Sequence, residues 1–143
     1  MSKHSQRGAS LPETAIVIGV VLACLFGIVD MARAVYTYSE VAELAREGAR
    51  WAIVRGSQCK VIDNCNAGQS AIQTYLQGRS LGLTTAGSIQ VTANWPGTSC
   101  SPKNAPGCPV AITVTYPFSF MTGILPKSAI YWMSSTSQMV ISD

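Results

Sequence analysis

Residues 7–30 read RGASLPETAIVIGVVLACLFGIVD, and the fold turns on how this stretch is used. From Thr14 to Val29 no side chain is charged, yet Glu13 stands at the mouth of the run with Pro12 beside it. Leu11 to Val29 is nineteen residues. As a helix that is long enough to cross the roughly 30 Å of hydrocarbon in a bilayer. Lys3 and Arg7 flank its N-terminal side, which by the positive-inside rule puts the N-terminus in the cytoplasm. A buried core helix is one alternative, but the remaining chain is too small to wrap such a helix on every side. A cleaved secretory signal is another, with a basic start, an apolar run and Ala32-Arg33-Ala34 as an A-x-A match. Asp30 and Arg33 crowd that cleavage site, and the run exceeds the usual length of about 7–15 residues. The reading adopted is a retained anchor.

Helical character continues past the apolar run. In DMARAVYTYSEVAELAREGARWAIVRG, Ala42, Ala45, Ala49 and Ala52 recur at three- and four-residue steps and form one small-residue stripe. Glu43 with Arg46, and Glu47 with Arg50, are spaced as supporting ion pairs on the wetter side. Gly56 is a plausible stop. A helix from Leu11 to Arg55 would be ~65 Å long. Its first half would lie in lipid, and its amphipathic second half would dock on a domain outside.

The composition agrees with one such domain plus an appended element. Of 143 residues 48% are hydrophobic and 12% charged, about half the charged share of an ordinary soluble domain. The formal charge of +3 is small and scattered, which argues against a nucleic-acid partner.

The head reads as a small α+β unit. Asn66–Gln77 carries Ala67, Ala71, Tyr75 and Leu76 on a weak helical face ending near Gly78. Periodicity then switches to two: Ile89, Val91, Ala93 and Trp95 alternate with polar residues, as do Val110, Ile112, Val114 and Tyr116. A third strand is expected within Ile130–Ile141, with Pro117 and Pro126 bounding the loop before it. Three antiparallel strands cannot hide one face alone, so the alanine stripe of the long helix is the natural cover.

Cys59, Cys65, Cys100 and Cys108 lie outside the apolar run, an even number in loop-rich segments that suits export. Of the three possible pairings, Cys59–Cys65 and Cys100–Cys108 are favoured, because each closes a short loop beside the end of an element. Cys24, inside the apolar run, reads as a small packing residue, with palmitoylation or an interhelix disulfide as alternatives.

Catalytic chemistry is short of parts. The sole histidine is His4, ahead of the apolar run, so no histidine-based triad is available outside. Beyond the long helix the acids are Asp63 and Asp143 alone, a poor basis for a paired-carboxylate mechanism. Neither a C-x-x-C spacing nor an external histidine favours metal or redox chemistry. GTSCSPKNAPG, residues 97–107, lacks the lysine-serine/threonine ending of a phosphate loop and reads as a turn-rich hairpin. Tyr131-Trp132-Met133 could hold a ligand but reads better as strand packing or a partner-facing patch. No enzyme and no cofactor are expected.

Glu13 has two readings. Ser10-Leu11-Pro12-Glu13 has the form of a capping box, with Pro12 in the first turn where its missing N–H matters least. A carboxylate near hydrocarbon, however, ordinarily has a named partner. Were the chain cut between Gly8 and Ala9, the new amine of Ala9 would lie on the same helix face as Glu13, or that amine could come from a neighbouring subunit.

Gly8 followed by Ala9-Ser10-Leu11-Pro12-Glu13 and an apolar helix resembles a type IV prepilin. Residues 7–53 are similar to the TadE-like family of minor pseudopilins from tight-adherence (Flp-type) pilus systems. The residues that carry the likeness are Arg7-Gly8-Ala9, Glu13, Gly27-Ile28-Val29-Asp30, Arg33-Ala34 and above all Ala45-Arg46-Glu47-Gly48-Ala49-Arg50; ITVTYPFSFMTG in the tail matches more loosely. Pro12 departs from the apolar residue usual beside the glutamate.

The resemblance implies a pilin-like α+β plan, a long transmembrane helix packed on a small antiparallel sheet head with a short second helix. Residues 1–8 would be a basic leader, 9–56 the anchor and stalk, and 57–143 the extracytoplasmic head. It further implies leader cleavage between Gly8 and Ala9 by a prepilin peptidase, Glu13 as an assembly contact, and residence in the bacterial inner membrane. Partners would be other pseudopilins or pilin subunits, the inner-membrane assembly platform and the lipid bilayer. The rivals are a fibre-forming pilin, which the large head argues against, and a signal-anchored binding domain unconnected with pili.

Overall fold

In the computed structural model, residues 10–60, 65, 68–80, 83, 89–97, 100–121 and 130–142 are described. Gly8, Ala9 and the leader lie outside them, as do Asp63, Asn66, Ala67, Pro126 and Asp143. The order is α1 (Ser10–Ile53), α2 (Gln69–Arg79), β1 (Gln90–Asn94), β2 (Pro109–Phe118) and β3 (Tyr131–Val140). The three strands form an antiparallel sheet in the order β1-β2-β3. The fold is therefore α+β, with a long N-terminal helix on a small sheet.

α1 is 44 residues without a break, about 65 Å end to end. Its C-terminal half lays Val41, Leu44, Ala45, Ala49 and Ala52 against Val110, Ile112 and Val114 of β2. Ala42 falls at the edge of this stripe, half-buried, and Val41 and Leu44 take the central places expected of it. Small side chains elsewhere on the stripe let the helix sit close to the sheet. Gly48 carries this furthest: a Cβ there would stand 2.9 Å from Leu76 Cδ1 and 3.1 Å from Ile112 Cγ2. Ile72 and Leu76 of α2, both fully buried, close the core between α1 and β1.

α2 begins at Gln69 rather than Asn66 and ends at Arg79, near Gly78 as expected. Nothing crowds Gly78, and Ser80 provides the termination, donating its N–H to the Leu76 carbonyl at 3.1 Å and its hydroxyl to the Gln77 carbonyl at 2.9 Å. β2 includes Pro117, expected to bound a loop. β1 pairs only as far as Thr115, so Pro117 lies beyond the last residue that β1 pairs with.

β2 descends along α1. Near Ile53, at the top, the Ser142 N–H and hydroxyl both donate to the Ile53 carbonyl at 3.1 Å. At the bottom Phe118 lies under the guanidinium of Arg33. Cys100 is bonded to Cys108 at the upper end of the sheet, with Cα atoms 6.0 Å apart, and Cys59 is bonded to Cys65, with Cα atoms 5.6 Å apart.

Candidate membrane and assembly surface

Every residue from 11 to 29 is exposed, because none of the described residues of the head covers this part of α1. Leu11, Ile16, Ile18, Val20, Phe26 and Ile28 each keep more than half of their surface open. An all-round apolar helix of this length calls for an apolar surrounding. It is the one helix among the described residues long and apolar enough to cross a membrane, and it fits a single-pass anchor. Glu13 is exposed in its first turn, and Cys24, within the apolar run, is a free, exposed thiol. Glu13 thus sits far from the head, at the end of the helix that Gly8 and Ala9 would precede.

The apolar run ends on a carboxylate that is 3% exposed, Asp30. Its Oδ1 accepts the Met121 main-chain N–H at 3.1 Å and lies 3.4 Å from Arg33 Nη1. A buried carboxylate is costly unless it is hydrogen-bonded and paired, and here the main-chain partner comes from the head. Arg33 also stands 5.8 Å from the centre of the Phe118 ring. Phe118, Phe120 and Tyr131 meet edge to face at 5.2 and 5.4 Å. Asp30 therefore pins the lower end of the head to the place where the anchor stops.

The block Ala45–Arg50 makes the second attachment. Ala45 and Ala49 are fully buried, and Gly48 allows the close approach of α2. Arg46 pairs with Glu43 at 3.1 Å on the exposed side, as spacing suggested. Glu47, expected to pair with Arg50, reaches across to α2 instead. Its Oε1 accepts the Tyr75 hydroxyl at 2.9 Å and lies 3.4 Å from Arg79 Nη1. Trp51 stacks on Tyr75 at 5.2 Å, with the Arg55 guanidinium over the Trp51 ring at 4.2 Å and that of Arg79 over the Tyr75 ring at 5.4 Å. Burial raises the Tyr75 pKa above its ordinary 10.0, and the hydrogen bond to Glu47 and its negative charge push the same way.

Ile28, Met31, Ala32, Val35, Tyr36 and Ser39 line a shallow, open groove on α1. It carries the apolar surface of the anchor upward beyond Asp30. Among the described residues no three histidine, cysteine or carboxylate side chains gather as a metal site would require.

Spacing marked Glu43–Arg46 and the two cysteine loops but not the part played by Asp30. The available signal was its position, the first charge after an uncharged run from Thr14 to Val29. The Met121 partner is not inferable from local pattern, since the two are 91 positions apart.

Comparison with known protein families gives a match of residues 8–50 to the TadE-like protein family. The matched segment holds the anchor, Asp30, Arg33 and the Ala45–Arg50 block, and it stops short of the head. No curated protein and no solved structure matches the chain.

Proposed function

We propose that this chain is a membrane-anchored minor pseudopilin that takes part in assembling or priming a tight-adherence pilus. The observation that carries the reading is the TadE-like match over residues 8–50, on a helix whose residues 11–29 are exposed all round. Such a helix has its entire circumference available to lipid before assembly and to neighbouring pilin helices during it. The open groove of Ile28, Met31, Val35 and Tyr36 extends that surface above the bilayer.

In this reading the N-terminus is cytoplasmic and the head lies outside the inner membrane. A prepilin peptidase removes the leader after Gly8, and the freed Ala9 amine pairs with Glu13, on its own chain or on a neighbour, at a helix–helix contact. The role is structural rather than catalytic. An unbroken helix from anchor to head, attached through Asp30 and Glu47, transmits a displacement of the anchor to the head without slack. Other pseudopilins and the inner-membrane assembly platform are the partners.

Photo-crosslinkers placed at Leu22 and Leu25 in cells assembling pili test this directly. Adducts with other pilin-class subunits, together with loss of pili on deletion of the chain, are expected. An anchor that forms no adduct with any pilin-class subunit, in a cell that remains piliated without the chain, would contradict the proposal.

A further inference from the structure

We propose that the lower end of the head is itself seated in the outer headgroup layer of the bilayer, through Met121, Ile130, Tyr131 and Trp132. The inference rests on the anchor reading and adds a second membrane contact to it. Placement comes from Asp30. The run from Leu11 to Val29 spans about the hydrocarbon thickness of a bilayer, so Asp30 marks the level at which hydrocarbon gives way to headgroups. Met121 is hydrogen-bonded to Asp30 at 3.1 Å and is therefore at that level. Phe118, under Arg33, and its cross-strand partner Tyr131 lie beside it.

Four of the described side chains at this level are apolar and open. Met121 is 74% exposed, Trp132 57%, Ile130 56% and Tyr131 45%. Higher on the sheet the outward residues change character: Thr92, Thr113, Thr115, Ser134, Thr136 and Gln138 face away from the core. Thr113 and Thr136 share a 2.8 Å hydroxyl hydrogen bond across β2 and β3. Val140, at the opposite end of β3, stands apart as an open apolar residue among them. A protein partner laid along the sheet would favour an apolar face over its whole length. Among the described residues of the sheet the open apolar surface is concentrated at the end nearest Asp30.

The residue types fit a headgroup layer. Tryptophan and tyrosine combine an apolar body with a polar tip, the combination that concentrates at membrane interfaces. Tyr131 is held by edge-to-face contact with Phe120, which contacts Phe118 in turn, so its ring is fixed in place. With the anchor on one side and this seat on the other, the head is fixed in tilt and rotation relative to the membrane.

The test uses the full chain in phosphatidylcholine vesicles, comparing ordinary lipid with lipid brominated near the carbonyl end of its acyl chains. Wild type and Trp132→Phe are read side by side, which isolates Trp132 without altering Trp51 or Trp95 in the packed head. Trp51 lies about 30 Å along α1 from Asp30, out of reach of contact quenching. Loss of most of the Trp132 emission in brominated lipid, absent from the Trp132→Phe variant, is the expected result. Co-flotation with the vesicles reports the anchor separately. Chain that floats with Trp132 emission unchanged by bromine overturns the seat alone, and chain that does not float overturns the anchor and the seat together. Shielding of Trp132 that appears only as the protein-to-lipid ratio rises would assign the patch to a second copy, which also overturns the seat.

Discussion

Asp30 and Met121, 91 positions apart, are joined by a 3.1 Å hydrogen bond from main-chain N–H to carboxylate. The bond ties the segment just after β2 to the first charged residue beyond the apolar run. It gives Asp30 a purpose that neither a helix cap nor a solvent-facing charge would have, since the residue is 3% exposed. Asp30→Ala should leave the Met121 N–H without its acceptor and cost about 1–3 kcal/mol of head stability. Asp30→Asn keeps an acceptor and should cost less. Amide hydrogen exchange at Met121 in detergent-solubilised protein checks this: exchange should quicken most in the alanine variant, and equal protection in all three proteins would contradict it.

Gly48 sets the spacing of α1 against α2. Its Cβ position is 2.9 Å from Leu76 Cδ1 and 3.1 Å from Ile112 Cγ2. Gly48→Ala should be nearly balanced, because a gain of about 1 kcal/mol in helix propensity opposes the crowding. Gly48→Leu has no such balance and should lose about 2 kcal/mol or more through displacement of α2. Denaturant unfolding followed by tryptophan emission reads the difference, and an unshifted midpoint for the leucine variant would show that α2 is not tightly docked.

Tyr75 should make stability depend on alkaline pH. The folded chain holds the Tyr75 proton more tightly than the unfolded chain, because burial and Glu47 raise its pKa above 10.0. The contribution is therefore complete below pH 10 and declines as the pH rises through the folded value. Tyr75→Phe should cost about 1 kcal/mol near neutrality. The gap between wild type and variant should narrow above pH 10, as seen by denaturant midpoints across pH. A gap that widens with pH would contradict the assignment.

The elements with strong periodicity were legible from sequence, and the features set by distant partners were not. α1 was expected from Leu11 to Arg55 and runs from Ser10 to Ile53. β1 and β2 lie where alternation placed them, because each has one face on the core and one turned outward. The end of α2 expected near Gly78 falls at Arg79, with Ser80 rather than a glycine supplying the termination. Glu47 and Arg50 had the spacing of an ion pair, yet Tyr75 and Arg79 offered Glu47 a better-shielded site on α2. At the candidate site, Glu13 and the end of the anchor were visible as breaks in an apolar run. The Asp30–Met121 contact was not, since it depends on tertiary placement.

The two cysteine loops predict a thiol count. With Cys59 bonded to Cys65 and Cys100 to Cys108, Cys59→Ser should add one titratable thiol, Cys65, to that of Cys24. Peptide mass mapping should still find Cys100 joined to Cys108. A peptide linking Cys65 to either of those residues in the wild type would contradict the pairing.

Glu13→Gln separates a cap from an assembly contact. Glutamine also completes a capping box, so a capping role makes the change nearly silent. If Glu13 neutralises an Ala9 amine at a helix–helix contact, glutamine leaves that ammonium poorly paired, at a cost on the order of 3 kcal/mol. That corresponds to a hundredfold or greater loss of association, by roughly 1.4 kcal/mol per factor of ten. The variant should be inserted and cleaved normally yet fail to crosslink with partner subunits. Normal crosslinking and normal pili would return Glu13 to a capping role.

The pseudopilin reading is tested most directly by the N-terminal residue of the chain recovered from membranes that contain a prepilin peptidase. N-terminal sequencing should read Ala9-Ser10-Leu11-Pro12-Glu13, and Gly8→Leu should abolish that product. A mature chain that still begins at Met1, or one that begins at Val35, would contradict the pseudopilin reading.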